Sequence, residues 1–147
     1  MRLILAVLAL SLAAATATAA DLVETASPHS VARTVANFEA AVAKAGAKVF
    51  ATVDHAAGAR SIGAELPETT LIIFGNPRIG TPAIAALRST GLDLPLRVLI
   101  WDDAGQTRVT YEPPQAMFER HGVTGADDTL AKMKGALAKL TAAAVKQ

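Results

Sequence analysis

The residue types best suited to proton transfer occur in one adjacent pair, Asp54-His55, and in a further histidine, His121. A carboxylate beside an imidazole can fix the tautomer of a general base, so the pair is a candidate for acid–base chemistry. Neighbouring residues of a strand point to opposite faces, however. Asp54 at a strand end therefore fits equally well as the cap of the following turn, with His55 hydrogen-bonded locally.

His121 ends a predicted helix, where a positive charge interacts favourably with the helix dipole. It suits a proton donor or an anion contact, and it equally suits a partner for the free carbonyl groups of the helix end. Together with His55 it could hold a transition metal or haem, but the chain has three histidines and none has a ligand spacing such as His-x-x-x-His. The metal signal is therefore weak, so no residue is assigned as a metal ligand and the cofactor stays unassigned.

A second candidate is the loop from Gly75 to Pro82, which contains Asn76 and Arg78. Backbone N–H groups at a helix start, with an arginine nearby, could bind a carboxylate or a phosphate. The loop lacks the lysine and the spacing of a P-loop, and its prolines remove donors. An ordinary well-shaped turn is the alternative.

The third candidate is a predicted hairpin, with strands over Leu96–Trp101 and Thr107–Glu112. If three residues form its loop, Arg97, Trp101 and Tyr111 share one face. The aromatic side chains could then wall a pocket whose arginine holds an acidic group. They could equally belong to the core or to a dimer interface, with the arginine stacked between them.

The elements that must position these residues can be read from apolar spacing and from helix caps. Helices are predicted to begin at Ser27-Pro28, Thr81-Pro82, Pro113-Pro114 and Thr124, because serine or threonine caps a helix and proline fits its first position. The first ends at Gly46 and the third at Gly122. Strands are predicted over Leu22–Thr25, Ala47–Val53, Thr69–Phe74 and the two hairpin segments. The sum is one α+β domain, a mostly antiparallel sheet of four to five strands packed with helices.

The first twenty residues have the pattern of a secretory signal peptide, with Arg2, an apolar stretch from Leu3 to Leu12, and small residues before the cleavage point. We expect residues 1–20 to be cleaved and residues 21–147 to form one domain in the periplasm or outside the cell. The apolar stretch is too short to span a bilayer, and no later segment approaches the length of a transmembrane helix, so no membrane insertion is expected after cleavage.

Charge and cysteine content exclude several classes of function. Without Arg2, 13 basic side chains stand against 13 acidic ones, so the domain lacks the positive surface that binds nucleic acid. The absence of cysteine excludes disulfides, thiolate nucleophiles and covalent haem attachment. A small molecule or a protein is the expected partner.

Several stretches together resemble a known family, the bacterial and archaeal domain of unknown function 302 (DUF302), also called TT1751-like. They are Ser30 to Ala45, Asp54-His55-Ala56-Ala57-Gly58-Ala59, Phe74 to Pro82, Leu92 to Leu99, Trp101, Tyr111 and Pro113. The resemblance implies a compact α+β fold that self-associates as a homodimer. It supplies no activity and no catalytic residues.

Three hypotheses about function follow. The first is a binding module for a small molecule or a partner, with a candidate pocket formed by Asp54, His55, Asn76, Arg78, Arg97, Trp101, Tyr111 and His121. The second is an acid–base enzyme that uses Asp54, His55 and His121. The third is a protein that binds a metal or haem through its histidines.

Overall fold

The computed structural model describes residues 22–147, and the predicted signal peptide lies outside the described residues. Five strands pair throughout in antiparallel fashion, in the order β1-β5-β4-β3-β2. Their bounds are Val23–Ala26 (β1), Lys48–Asp54 (β2), Thr69–Gly75 (β3), Leu96–Asp103 (β4) and Gln106–Tyr111 (β5). The expected α+β domain with a mostly antiparallel sheet is confirmed.

Helices connect or flank these strands within the same range. They are α1 (Val31–Lys44), α2 (His55–Ser61), α3 (Pro77–Ala86), a 3₁₀ helix (Arg88–Leu92), α4 (Pro114–His121) and α5 (Asp127–Val145). Gly46 and Gly122 follow α1 and α4 in the left-handed conformation, with φ of 68° and 70°. Glycine adopts this conformation readily, so the two predicted helix ends are confirmed.

The main core lies between one face of the sheet and the helices α1 and α5. Phe38 of α1 meets Phe74 of β3 edge to face, with ring centroids 5.1 Å apart, a favoured aromatic geometry. The buried members are Val31, Phe38, Val42, Ile72, Phe74, Val98, Ile100, Val109, Leu137, Leu140 and Ala144. A smaller second core joins α3, α4 and α5 and consists of Ala83, Leu94, Met117, Phe118 and Met133.

The β4–β5 hairpin turns one residue tighter than the sequence predicts. Asp103 pairs with Gln106, so the loop is Ala104-Gly105, and both residues have positive φ, as a type I′ turn requires. Because side chains alternate along a strand, the shift moves Tyr111 to the main core while Arg97 and Trp101 face the other way. The predicted common face for these three side chains is therefore wrong.

Two helix starts also differ from the prediction. Ser30, rather than Ser27, caps α1, and its hydroxyl accepts the N–H of Arg33 at 3.3 Å. The Ser27 hydroxyl bonds instead to that of Thr34 at 2.8 Å in the interior. Helix α5 begins at Asp127 rather than after Thr124, and Ala126 occupies its cap position.

Helix α3 begins five residues before the predicted start. Asn76 caps it and Pro77 takes its first position, so Pro82 lies inside the helix rather than at its beginning. An Asn-Pro pair and a Thr-Pro pair occur within seven residues, and both satisfy the same rule for the start of a helix. The helix begins at the earlier pair, because Asn76 also donates a hydrogen bond to the carbonyl of Gly46, at 3.2 Å.

The second face of the sheet is apolar and only partly covered. Leu71 and Ile73 of β3 and Leu99 and Trp101 of β4 lie there, and all four are half-buried. Val53 of the neighbouring edge strand is 38% exposed. We call these five residues the open sheet face.

Candidate functional site

A cleft of about 320 Å³ lies where the end of β3, helix α3, the segment before β4 and helix α5 meet. Its walls are almost wholly apolar, which is typical of small-molecule sites in proteins. The lining residues are Ala45, Ala47, Phe50, Phe74, Gly75, Asn76, Pro77, Ile79, Gly80, Thr81, Ile84, Leu94, Pro95, Leu96, Met133, Ala136, Lys139 and Leu140. The cleft thus opens where the main core and the second core meet.

Three polar side chains reach this lining, from Asn76, Thr81 and Lys139. Asn76 is already engaged, because its amide oxygen accepts the N–H of Arg78 at 2.9 Å while its amide nitrogen bonds Gly46. Lys139 is exposed on α5, and within residues 22–147 its ammonium group is in no ion pair. It is therefore the charged group available to a molecule bound in the cleft.

Residues 75–82 do not present free backbone N–H groups for a carboxylate or a phosphate, as one interpretation of the sequence required. Residues 77–80 are helical, and the N–H groups of Ile79 and Gly80 both donate to the carbonyl of Asn76. The N–H of Arg78 is held by the Asn76 side chain. Because these donors are satisfied internally, the loop contributes apolar wall to the cleft rather than an anion site.

A second polar feature is a group of five charged or titratable side chains around Asp93, which we call the Asp93 cluster. The Oδ1 of Asp93 accepts from Nη2 of Arg97 at 2.8 Å, and its Oδ2 accepts from Nη2 of Arg120 at 3.0 Å. Arg120 also donates to Oε2 of Glu112 at 3.0 Å. His121 completes the cluster through Nε2, which lies 2.7 Å from Asp93 Oδ2.

Opposing effects set the acidity of the carboxylates in this cluster. Burial alone would raise the pKa of Asp93, but hydrogen bonds from His121 and Arg120 and the nearby arginine charges hold it below its usual value. The hydrogen bond from Arg120 likewise lowers the pKa of Glu112. Both acids are therefore ionised throughout the neutral range.

The Asp93 cluster extends to an exposed hydroxyl. The Oγ of Ser89, in the 3₁₀ helix, lies 2.9 Å from Nδ1 of His121, whose other ring nitrogen contacts Asp93. His121 is 11% exposed and Asp93 17%, so the imidazole is largely shielded from water. The three side chains form one hydrogen-bonded chain from the surface inward.

The Asp54-His55 pair takes the structural role that the sequence left open. Asp54 caps α2, and its Oδ1 accepts the N–H of Ala57 at 2.8 Å. Arg60 lies 3.7 Å from its other oxygen, and His55 is exposed at the first position of the helix. The pair stands near the start of β3, since Asp54 pairs with Thr70.

His121 lies toward the opposite end of β3, because its partner Asp93 precedes β4, whose first residue Leu96 pairs with Phe74. The structure therefore does not bring Asp54 and His55 together with His121. Within residues 22–147 no three histidine, aspartate or glutamate side chains are placed to hold a metal ion together.

Two of the three hairpin residues, Arg97 and Tyr111, line a second pocket of about 250 Å³, and Trp101 lies outside it. Trp101 donates from Nε1 to the hydroxyl of Thr110 at 2.8 Å on the open sheet face, whereas Arg97 joins the Asp93 cluster. Tyr111 packs against the main core, and burial raises the pKa of its phenol. They do not form the predicted pocket of two aromatic walls and one arginine.

Sequence reasoning missed the two residues that organise the polar site, Asp93 and Ser89. Asp93 lies in a family-like stretch, Leu92 to Leu99, that assigned it no role, and Ser89 lies in none. Each meets His121 because the 3₁₀ helix packs beside the end of α4. One signal was available, an Asp93/Arg97 pair four residues apart. Neither of the cleft residues Ile79 and Met133 was predicted to line an apolar site. Ile79 lies in the predicted loop from Gly75 to Pro82, and Met133 occupies a buried position of the last predicted helix.

Comparison with known proteins places this arrangement in a family. The family model described as "Domain of unknown function DUF302" matches residues 23–140. The crystal structure of an uncharacterized conserved DUF302 protein from Bacillus stearothermophilus superimposes with a TM-score of 0.78. The match covers 85% of this chain and 98% of that one at 13% sequence identity, so it establishes the fold alone.

Curated relatives are similar over part of their length. Two proteins named fluoride-specific ion channel FluC 1, from Brucella suis and Brucella abortus, are 43% identical over 112 residues, or 76% of this chain. The match spans 44% and 42% of their respective lengths, less than half of each. In the part of the chain that the structure describes, no helix has the length and apolarity needed to cross a membrane.

Proposed function

This chain belongs to the DUF302 family, and we propose that it is a binding module whose cleft takes a small apolar molecule that carries one acidic group. The observation that supports this proposal is the cleft beside α3 and α5, whose lining is apolar except at three positions. Apolar walls with a few fixed polar groups are the usual composition of such sites.

The size of the cleft and the charge of its lysine limit the kind of ligand that it can bind. About 320 Å³ holds roughly ten non-hydrogen atoms if each takes the share of a liquid water, about 30 Å³. The apolar part of the ligand would displace water from Ile79, Ile84 and Met133, which is favourable per unit of buried area. Lys139 is free to pair with a carboxylate at the cleft, and Asn76 is occupied elsewhere.

Calorimetric titration with octanoate and with 1-octanol tests the proposal. Both probes have about ten heavy atoms, so we expect a Kd on the order of 0.1 mM for octanoate and weaker binding for the alcohol. Lys139→Gln should weaken octanoate binding up to about fivefold and leave octanol unchanged. Lys132→Gln, on an exposed position of α5 outside the cleft, is the matched control.

Gly80→Leu provides the decisive variant. A Cβ placed on Gly80 meets no heavy atom within 4 Å, and Gly80 lines the cleft, so we expect a leucine here to extend into the cleft. Gly58→Leu adds the same side chain in open space on α2, away from the cleft. Loss of binding in both variants, or in neither, would refute the cleft as the binding site.

The proposed partner for the open sheet face is a second copy of this chain. The face presents half-buried Leu71, Ile73, Leu99 and Trp101, and two copies of nearly zero net charge would not repel each other. Sedimentation velocity should find a dimer that Leu99→Glu dissociates. A strict monomer at high concentration would refute the homodimer.

Export to the periplasm is the proposed location, and its support is the sequence of residues 1–20. Fractionation of the native host with intact-mass measurement is the test. A periplasmic species that lacks these residues is expected, and a full-length cytoplasmic species would contradict export.

A second candidate function is an accessory role beside a membrane fluoride channel, favoured by the curated Brucella relatives of that name. In those proteins the matched region is part of a longer polypeptide. Deletion of the gene would then make the host more sensitive to fluoride. Unchanged growth across a fluoride series would remove this candidate.

A further inference from the structure

We propose that Ser89, His121 and Asp93 form a nucleophilic site that cleaves small, solvent-accessible carboxylic esters. The site is separate from the cleft, because none of the three residues lines it. A nucleophile within hydrogen-bond reach of a base, which a third group orients, is the arrangement that defines such sites on unrelated folds. Here the two hydrogen bonds measure 2.9 and 2.7 Å.

Each side chain has a role that its position supports. Ser89 is exposed on the 3₁₀ helix, so its Oγ is open to a substrate. The ionised Asp93 accepts a hydrogen bond from Nε2–H of His121, which leaves Nδ1 free to accept the hydroxyl proton of Ser89. The acid thereby selects the tautomer in which the imidazole is a base toward serine.

The arginines hold the acid in place. Arg97 and Arg120 occupy both oxygens of Asp93, which fixes the carboxylate against rotation, and Arg120 is in turn held by Glu112. Two positive and two negative groups balance in this cluster. The positive charge that develops on the His121 imidazole is therefore stabilised chiefly by the direct contact with Asp93. Because both side chains are largely shielded from water, this contact is stronger than it would be at the surface.

The reaction balances with water as the second reactant. Ser89 Oγ bonds to the ester carbonyl carbon while its proton passes to Nδ1 of His121. The carbon–oxygen bond to the leaving group breaks, and that oxygen takes the proton to depart as an alcohol. A water molecule then gives a proton to His121 while its oxygen bonds to the acyl carbon. The bond from that carbon to Ser89 Oγ breaks, Oγ takes the proton back from His121, and the carboxylic acid leaves.

A fluorophosphonate probe tests the nucleophile directly. Ser89 Oγ attacks the phosphorus and fluoride leaves, so one adduct per chain is expected by intact-mass measurement, with slow hydrolysis of p-nitrophenyl acetate. Ser89→Ala should abolish both, and His121→Phe should slow labelling about 100-fold. Ser61→Ala is the matched control, since Ser61 is an exposed serine whose hydroxyl donates to a backbone carbonyl of its own helix.

Asp93 acts through His121, so its test is a pH profile. The labelling rate should rise with pH, and Asp93→Asn should slow labelling and move the midpoint of the rate profile to lower pH, because the charge that favours the protonated base is removed. No adduct on the folded wild-type protein, or an adduct that survives Ser89→Ala, would overturn the proposal. Unchanged rate and midpoint in Asp93→Asn would overturn the role of the acid.

Discussion

The cleft and the Asp93 cluster both border the second core, yet they are built from opposite materials. Leu94 and Met133 line the cleft with apolar side chains, whereas Asp93, the residue before Leu94, and the end of α4 carry the charges. One backbone turn thus separates a surface that recognises by desolvation from one that holds atoms by directed hydrogen bonds.

The difference decides what each region can do. An apolar cleft accepts many molecules of suitable size and selects weakly among them, because the hydrophobic effect has no direction. The Asp93 cluster fixes His121 between a carboxylate and a hydroxyl and so prepares one specific proton transfer. We therefore assign binding to the first region and propose chemistry only at the second.

The largest expected effect comes from the wall that the cleft shares with the main core. Phe74→Ala removes a side chain that is 2% exposed and packs against Phe38, so it should lower the free energy of unfolding by about 3–5 kcal/mol. Denaturant unfolding measures this. Phe50→Ala, at a cleft residue that is 49% exposed, should lower the free energy of unfolding by about 1 kcal/mol or less. Equal losses in Phe74→Ala and Phe50→Ala would show that Phe74 does not act as a core residue.

Asp93→Asn should be the most damaging conservative change in the Asp93 cluster. It keeps the shape but removes the charge that Arg97 and Arg120 share, with an expected loss of about 1–3 kcal/mol in unfolding free energy. Asp54→Asn serves as control, because asparagine caps a helix as well as aspartate and the site is exposed. Equal stability of Asp93→Asn and wild type would mean that the cluster is only a solvated surface group.

Acid should weaken the Asp93 cluster and leave the cleft unaffected. The folded pKa of Asp93 lies below its ordinary value of 3.8, so the unfolded chain binds the proton more readily. The stabilisation is therefore complete above about pH 4 and is lost as the pH falls through the folded pKa. Unfolding free energies measured between pH 6 and pH 3 should fall more steeply for wild type than for Asp93→Asn, and parallel curves would contradict this assignment.

The smallest effect is expected from Gly80→Leu, the variant that fills the cleft. Replacing a helical glycine with a good helix former should stabilise the unliganded protein by about 0.5–1 kcal/mol. Thermal unfolding measures the gain. A marked destabilisation would show that the cleft is too narrow at this point to admit a side chain.

The sequence predicted elements better than it predicted sites. The spacing of Leu130, Met133, Leu137, Leu140 and Ala144 predicts one buried stripe on the last helix, and all of them except the half-buried Leu130 are buried. Gly46 and Gly122 end their helices because both signals depend on neighbours along the chain. The predicted hairpin loop was one residue too long, because two-residue and three-residue loops both fit Asp102-Asp103-Ala104-Gly105-Gln106. The shift of one residue in the strand pairing placed Tyr111 on the opposite face of the sheet.

The sites were less accessible for a physical reason. Ser89, Asp93 and His121 come together through packing between elements 28 to 32 residues apart in the chain. The cleft is lined by apolar residues of several helices and strands, and their sequence pattern is the same as that of core residues. Only the three-dimensional structure shows the space between them. Asp54-His55, which did look like chemistry, is a helix cap.

The measurement that tests the central claim most directly is methyl NMR of protein labelled at methionine and titrated with octanoate. Met133 lines the cleft, and Met117, also buried, lines a separate pocket beside Arg97, which makes them a matched pair within one molecule. We predict a saturable shift at Met133, a smaller one or none at Met117, and loss of the Met133 shift in Gly80→Leu. No saturable change at Met133, or an equal change in Gly80→Leu, would contradict the cleft as a ligand site.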